Sequence, residues 1–388
     1  MGRIFSRKQM VLDEVFSAYD VPPVAPHERV QLEDELVAEA NGYGPLSALL
    51  EDATVSDVLV NGPDEVFVDR FGRLDAAPVK FDDGAHLLHF VSRLVAAHDR
   101  HIDSASPYVD VRLHDGSRLH AVVPPLTRHP VICIRRARTV PFTPEQLCQV
   151  GTLDEASWEY LRHAVASGAN VVISGGVGSG KTTLLNVLAC AIPPTARVVT
   201  IEETAELRLS HPHVVTLEAR LPNNEGRGEV TLRTLVRNAL RMRADRLIVG
   251  EVRGAEVFDM LQAMNTGHEG SLATIHANTP RDALARLENM VSMAGVNLTP
   301  RAIRQQICSA ITVILQVSRL SDGRRKLMSI QEVTGMESEV VNMQEIFTFK
   351  RTGVDRDGTV RGHFCATGVR PKFAERLQAF GIKIGRAH

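Results

Sequence analysis

Asn170-Val171-Val172-Ile173-Ser174-Gly175-Gly176-Val177-Gly178-Ser179-Gly180-Lys181-Thr182-Thr183-Leu184-Leu185-Asn186-Val187-Leu188 is the stretch that decides the fold class of this 388-residue chain. Its first five residues read as a short buried strand, and Thr183 to Leu188 reads as the opening of a helix. Between them, Gly175 to Thr182 fits the pattern G-x-x-x-x-G-K-[ST]. Glycines let a backbone curl so that successive N–H groups point inward at phosphate oxygens, and a helix N-terminus adds the positive end of its dipole. Gly175, Gly176, Val177, Gly178, Ser179, Gly180, Lys181, Thr182 and Thr183 are therefore the candidate nucleotide-binding set. Lys181 would reach the terminal phosphates and Thr182 would ligate Mg²⁺, so ATP and Mg²⁺ are the expected ligands.

Hydrolysis needs more than a cradle: a group to orient or deprotonate water, help with the metal, and positive charge at the transition state. Leu247-Ile248-Val249-Gly250-Glu251 is an apolar strand that ends in a glycine and a carboxylate. Ligands gather at the carboxyl ends of strands in such sheets, which makes Glu251 the candidate general base or water-orienting group. Gly250 stands where a metal-binding Asp often stands, so another acid has to compensate. Thr200-Ile201-Glu202-Glu203-Thr204-Ala205-Glu206 supplies it, and Glu202 or Glu203 is the candidate for Mg²⁺ through water. His268 and His276 flank a further strand, Leu272 to Ile275, and are candidates to sense the γ-phosphate. Arg233, Arg237 and Arg241 share one face of a helix expected over Thr231 to Arg243, and pairing with acids is the expectation for most of them.

Around this centre, strands Val198–Ile201, Leu247–Val249 and Leu272–Ile275 alternate with helices, among them Ala255–Thr266. That alternation predicts an α/β domain with a mostly parallel sheet, a RecA-like phosphate-loop architecture. Asn278-Thr279-Pro280-Arg281-Asp282 is a helix start, with a capping side chain and proline in the first turn. Upstream, short alternating runs predict a smaller α+β domain. It has strands Val55–Val60 and Glu65–Asp69, a helix Ala85–His98 with Leu87, Leu88, Val91, Leu94 and Val95 on one side, and a hairpin around His114-Asp115-Gly116-Ser117. The expected organisation is a helical segment at 1–40, the α+β domain at 41–138, a linker at 139–152 marked by Pro141 and Pro144, and the ATPase domain at 153–388. Arg135 and Arg136 end the first domain and, with Arg118 on the hairpin, are candidates to contact nucleotide.

Forty-four basic residues against 46 acidic ones leave a net charge of −2, so direct nucleic-acid binding is not expected. Cys133, Cys148, Cys190, Cys308 and Cys365 form no C-x-x-C pair, which points to free thiols in a reducing compartment and hence a cytosolic protein.

Taken together, the phosphate loop, acidic box, Gly-Glu strand and histidine box resemble the type II/IV secretion ATPase superfamily. Leu235-Val236-Arg237-Asn238-Ala239-Leu240-Arg241-Met242-Arg243, Asp259 to His268, Val60 to Val66, Asp115 to Arg118 and Ala366 to Pro371 look closest to its CpaF/TadA branch, which serves tight-adherence (Flp-type) pili. That resemblance implies a homo-hexameric ATPase, peripheral at the inner face of the cytoplasmic membrane and partnered by inner-membrane platform proteins. It implies a PAS-like N-terminal domain over a RecA-like domain, with Lys181, Thr182, Glu251, His268 and His276 in the site and Arg135, with Arg118, reaching nucleotide. The family's acidic box usually reads Glu-Asp, where this chain has Glu202-Glu203, and the segment before residue 41 is short for the branch. The alternatives are a RecA-like nucleic-acid-translocating ATPase and a nucleotide-gated scaffold that does not hydrolyse.

Overall fold

The computed structural model describes residues 43–70, 73–98, 100–137, 141–220, 222 and 227–372; the helical segment expected at 1–40 lies outside them. The chain divides into two compact units after Ala137.

The first unit is built on six antiparallel strands: β1 (Val55–Gly62), β2 (Glu65–Arg70), β3 (Arg73–Ala76), β4 (Tyr108–Arg112), β5 (Arg118–Val122) and β6 (Val131–Arg135), in the order β3-β2-β1-β6-β5-β4. Alternate residues Val58, Val60, Val66, Val68, Leu119, Ala121, Ile132 and Ile134 are buried on one face. A short helix α1 (Ser47–Glu51) and the longer α2 (Gly84–Ala96) contribute to the same core, α2 through Leu87, Phe90, Val91, Leu94 and Val95. Asp83 caps α2 by accepting from the His86 N–H. Leu88, expected on the buried side, is exposed, and Phe90 takes its place. Positions 87, 90, 91 and 94 form one continuous stripe at helical spacing, and Leu88 falls just off its edge. The hairpin forms as expected, with Gly116 at φ 87° and Ser117 N–H donating to Asp115. Strand β3 has no buried residue, so it carries no alternation by which to find it in sequence.

The second unit begins with α3 (Pro144–Gln149) and α4 (Glu155–Ala166). Residues 144–149 were expected to be linker. They form a helix instead, with a Thr143 capping box and Leu147 buried against the core, because capping and one well-placed apolar side chain outweigh the turn signal of Pro144 at a first-turn position. Next come β7 (Val171–Gly175), α5 (Lys181–Ala189), β8 (Val198–Glu202), β9 (Val214–Glu218), α6 (Leu232–Ala239), β10 (Arg246–Val252), α7 (Glu256–Asn265), β11 (Leu272–His276), α8 (Pro280–Met293) and α9 (Pro300–Ala310). The unit ends in β12 (Val313–Arg319), β13 (Arg325–Glu337), β14 (Val340–Val354) and β15 (Val360–Ala366). These strands form one sheet in the order β15-β14-β13-β12-β7-β11-β10-β8-β9, parallel from β12 to β9 and antiparallel from β12 to β15.

Both faces of the parallel part are covered. Val172, Val199, Ile201, Val249 and Ala273 point into a core shared with α6 to α9, while Val171, Ile173, Val198, Ile248 and Leu272 point into a second core shared with α4 and α5. That two-sided burial is why these strands read as unbroken apolar runs. Helix α6 ends at Ala239, earlier than expected, and Arg243 turns the chain with φ 54° before β10. Helix α8 is capped by Thr279, whose hydroxyl accepts from Asp282 N–H at 3.1 Å.

Asn170, one residue before β7, is 4% exposed and ties four segments together. Its amide donates to the carbonyls of Ala310 at 2.6 Å and Met264 at 3.5 Å, and its Oδ1 accepts from the N–H groups of Gly270 at 2.7 Å and Ser271 at 3.0 Å. Each buried backbone group orphaned by losing such a partner costs about 1–3 kcal/mol. Asn170→Ala is expected to lower stability by roughly 2–5 kcal/mol, read as an earlier denaturant midpoint at unchanged slope.

Candidate functional site

The loop between β7 and α5 takes its shape from two glycines in the left-handed region, Gly178 at φ 67° and Gly180 at φ 94°. Gly176 carbonyl accepts from the Ser179 hydroxyl and from Lys181 Nζ, each at 2.9 Å, so the ammonium is held over the inside of the loop. From the other side of the chain, Arg325 at the start of β13 donates its Nε–H to the Gly178 carbonyl at 2.9 Å. Thr182 and Thr183 follow Lys181 in the first turn of α5, where backbone N–H groups have no partners within the helix.

Four parallel strands bring the other candidates to the same edge. β11 lies between β7 and β10, with His276 beside Gly175 and Ile275 beside Val252; β8 lies on the far side of β10, with Ile201 beside Val249. Neighbouring strands are about 4.8 Å apart, so Glu251 sits roughly 10 Å from the phosphate loop, across His276. Glu251 is held at both oxygens: Oε1 lies 3.4 Å from His276 Nδ1, and Oε2 accepts from Arg253 Nη2 at 3.0 Å. Arg253 Nη1 donates to Glu203 Oε2 at 2.6 Å. His276 loses affinity for its proton through burial first and the nearby Lys181 charge second, which favours the neutral imidazole.

Glu202 and Glu203 have separate jobs. Glu202 is 3% exposed, with Oε1 accepting from the N–H groups of Glu206 and Leu207 at 2.9 Å each and Oε2 without a hydrogen-bond partner. Burial, partly opposed by those two N–H donors, pushes its carboxyl up to about 7. It anchors the acidic segment, while Glu203 alone of the two reaches Arg253. A Cβ at Gly250 would stand 2.9 Å from Glu202 Cγ. The glycine in place of the usual aspartate is thus the room that the buried Glu202 needs.

His268 does not join the group. Leu272 pairs with Val171 and His276 with Gly175, so β11 runs through the sheet from its far edge to the loop edge. His268 precedes Leu272 and lies beyond that far edge, with roughly 13 Å of strand in between. The expectation that both histidines flank one site overlooked that a strand between two residues separates them by its own length. Arg233 and Arg237 place their Nε–H groups on Asp259, at 2.7 and 2.9 Å, which joins α6 to α7 away from the loop. In the first unit, Arg136 donates to the Val55 carbonyl at 2.9 Å and to that of Asp52, so it holds the turn before β1. Arg118 and Arg135 are paired across β5 and β6, and Arg135 Nε is 3.8 Å from Asp57.

Oxygen donors at this edge, the Thr182 hydroxyl and the Glu203 and Glu251 carboxylates, suit a hard cation such as Mg²⁺. Among the described residues no group of three or more His, Cys, Asp or Glu side chains is assembled to hold a metal. Mg²⁺ needs none, since it takes one or two protein ligands and completes its shell with water and substrate phosphates.

Against known proteins, the model for type II/IV secretion system proteins matches residues 39–363. The chain belongs to that family. This secretion-system protein is 41% identical over 312 residues to the "Putative conjugal transfer protein" of Mycobacterium tuberculosis, covering 79% of this chain and 88% of that one. It is 33% identical over 299 residues to the conjugal transfer protein TrbB of Rhizobium radiobacter, covering 75% and 87%. Among solved structures, the pilus retraction motor PilT with bound ADP matches with a TM-score of 0.55 at 19% identity, over 75% of this chain and 82% of that one, a likeness of fold. The α/β, RecA-like architecture expected of the secretion-system protein is the one observed. Among its described residues, no helix is long and apolar enough to cross a membrane.

Two measurements test this site. In the unfolded chain Glu202 returns to its ordinary 4.5, while the folded carboxyl titrates at about 7. Between those values the folded protein keeps a proton that the unfolded chain releases, so stability falls as pH rises through the window, by up to about 3 kcal/mol. Glu202→Gln, which keeps an oxygen for the Glu206 and Leu207 N–H groups, is expected to flatten that slope in denaturant titrations from about pH 5 to about pH 8. Gly250→Ala is expected to cost about 1–3 kcal/mol by overpacking against Glu202 and to slow ATP turnover.

Proposed function

We propose that this chain is an ATP-hydrolysing motor, ATP + H₂O to ADP + phosphate, that powers pilus assembly or secretion across the bacterial cell envelope. The observation that carries the reading is the row Lys181, His276, Glu251 at the carboxyl edge of three adjacent parallel strands. Membership of the type II/IV secretion system family supports the motor role.

In this reading the loop N–H groups from Gly175 to Thr183 receive the phosphates, and Lys181 exchanges the Gly176 carbonyl for phosphate oxygens. Thr182 would hold Mg²⁺, with Glu203 contributing through water, and a metal bound there would supply positive charge to offset the charge developing on the phosphates. Glu251 accepts a hydrogen bond from the attacking water and takes its proton as the bond to phosphorus forms. His276, neutral and beside both Lys181 and Glu251, is placed to meet the γ-phosphate and to register its loss at the end of β11.

The working form we propose is a homo-hexamer at the cytoplasmic face of the inner membrane, engaged by platform proteins. Within the family we assign it to the tight-adherence (CpaF/TadA) branch, on the wording of 235–251 and 259–268. The relatives named for conjugal transfer make cargo export the neighbouring reading.

Lys181→Ala is expected to abolish ATP binding or turnover. Glu251→Gln is expected to keep ATP binding and to lower kcat by about 10²–10⁴, the usual share of a general base. Calorimetric binding alongside phosphate release separates the two steps, and a Glu251→Gln protein that turns over normally would exclude the carboxylate's role. Light scattering with and without nucleotide tests the ring. A deletion strain that still bears its surface filaments would remove the pilus assignment and leave export.

A further inference from the structure

Arg253 stands two residues after Glu251 and joins the two acids at this edge, the exposed Glu203 and the partly buried Glu251. Its side chain is about half exposed, at 53%, and its guanidinium touches two carboxylates from two strands, Glu203 after β8 at 2.6 Å and Glu251 on β10 at 3.0 Å. Its backbone is also held. The N–H groups of Arg253 and Gly254 both donate to one oxygen of Glu256, at 2.6 and 2.8 Å, and Glu256 is 6% exposed at the first residue of α7. A buried carboxylate therefore fixes the point from which the arginine reaches out.

We propose that Arg253 is the positioning residue for Glu251, its planar fork holding Oε2 while His276 lies against Oε1, so that the carboxylate keeps one orientation toward the attacking water. This rests on the reading of Glu251 as the hydrolytic carboxylate and adds the device that aims it. Without the guanidinium, Glu203 and Glu251 are like charges side by side at one edge, and each is free to swing toward solvent. Arginine suits the task because its two terminal nitrogens meet two acceptors in one plane, whereas a lysine ammonium is a point charge on a flexible stem. A misplacement of about 1 Å at a reacting group costs about 10²-fold in rate, which sets the size of the expected effect.

The test compares Arg253→Ala, Arg253→Lys, Glu256→Ala, Glu251→Gln and the Arg253→Ala/Glu251→Gln double variant. Steady-state ATPase kinetics, binding of a non-hydrolysable ATP analogue with Mg²⁺, and thermal unfolding are read on each. The expected result is a kcat about 10–10²-fold lower for Arg253→Ala, with analogue affinity within about threefold of wild type. Arg253→Lys should recover part of the rate, and Glu256→Ala, which removes the oxygen that both N–H groups share, should lose rate in the same direction through the backbone it anchors. The double variant should be no slower than Glu251→Gln alone, because residues acting as one unit are not additive.

Wild-type kcat in Arg253→Ala, with Glu251→Gln inactive, overturns the positioning role and leaves Glu251 standing. Affinity lost tenfold or more at unchanged kcat overturns it too, in favour of direct phosphate binding by the arginine. Normal turnover by Glu251→Gln removes both readings at once. If Arg253→Ala fails to fold, Arg253→Lys and Glu256→Ala still decide: full rate in both counts against the proposal.

Discussion

The parallel pairing of β7, β11, β10 and β8 is the constraint on which the rest of the second unit depends. Because all four strands point the same way and pair without a large offset, Gly175, His276, Glu251 and Glu202 end at one edge, though the first and second stand more than ninety-nine residues apart along the chain. A parallel sheet can only be wired through crossovers, and the crossovers here are the helices that bury both faces. The same arrangement that hides the apolar strands thus gathers the charged residues. Asn170 guards its entry, giving partners to the backbone N–H groups just before β11 and to the carbonyls of Met264 in α7 and Ala310 at the end of α9.

At the edge itself, packing and charge are traded against each other. Glu202 is buried with an unpaired oxygen and held by two backbone donors, which makes it a brace whose carboxyl, pushed up to about 7, changes charge near neutral pH. The brace occupies the volume a side chain at position 250 would need, and leaves Glu203 and Thr182 as the more accessible oxygen donors at this edge. Arg253 then prevents the remaining two acids from repelling each other. Arg325 adds a contact from the antiparallel strands, reaching the loop carbonyl of Gly178 because β13 pairs with β12 and β12 with β7. The strands added after the parallel core therefore touch the phosphate loop directly.

Much of this was legible in the residues. The strand–loop–helix around Lys181, the four apolar strands and Glu251 at a strand end were readable because buried parallel strands are short apolar runs and phosphate loops use a narrow set of residues. Arg253 could have been found from spacing, since residues two apart in an extended segment point to the same side and Glu251 was already a candidate. Arg325 could not. It meets Gly178 from 147 residues away along the chain, and only strand pairing places it there. The helix at Pro144–Gln149 was hidden behind a proline that also serves as a helix start, and β3 had no buried face to announce it.

By itself, then, the sequence determined the strands β7, β8, β10 and β11, the helices α5 to α7 and the start of α8, the glycine-rich loop between β7 and α5, and which acids and histidines stand at strand ends, because local geometry and burial act on neighbouring residues. The tertiary structure decided which of those groups meet. It set His276 beside Glu251 and left His268 at the opposite edge, gave Glu202 to the interior and Glu203 to the site, and linked Glu203 to Glu251 through Arg253. Those outcomes follow from strand order, strand direction and side-chain volume, which no single segment carries.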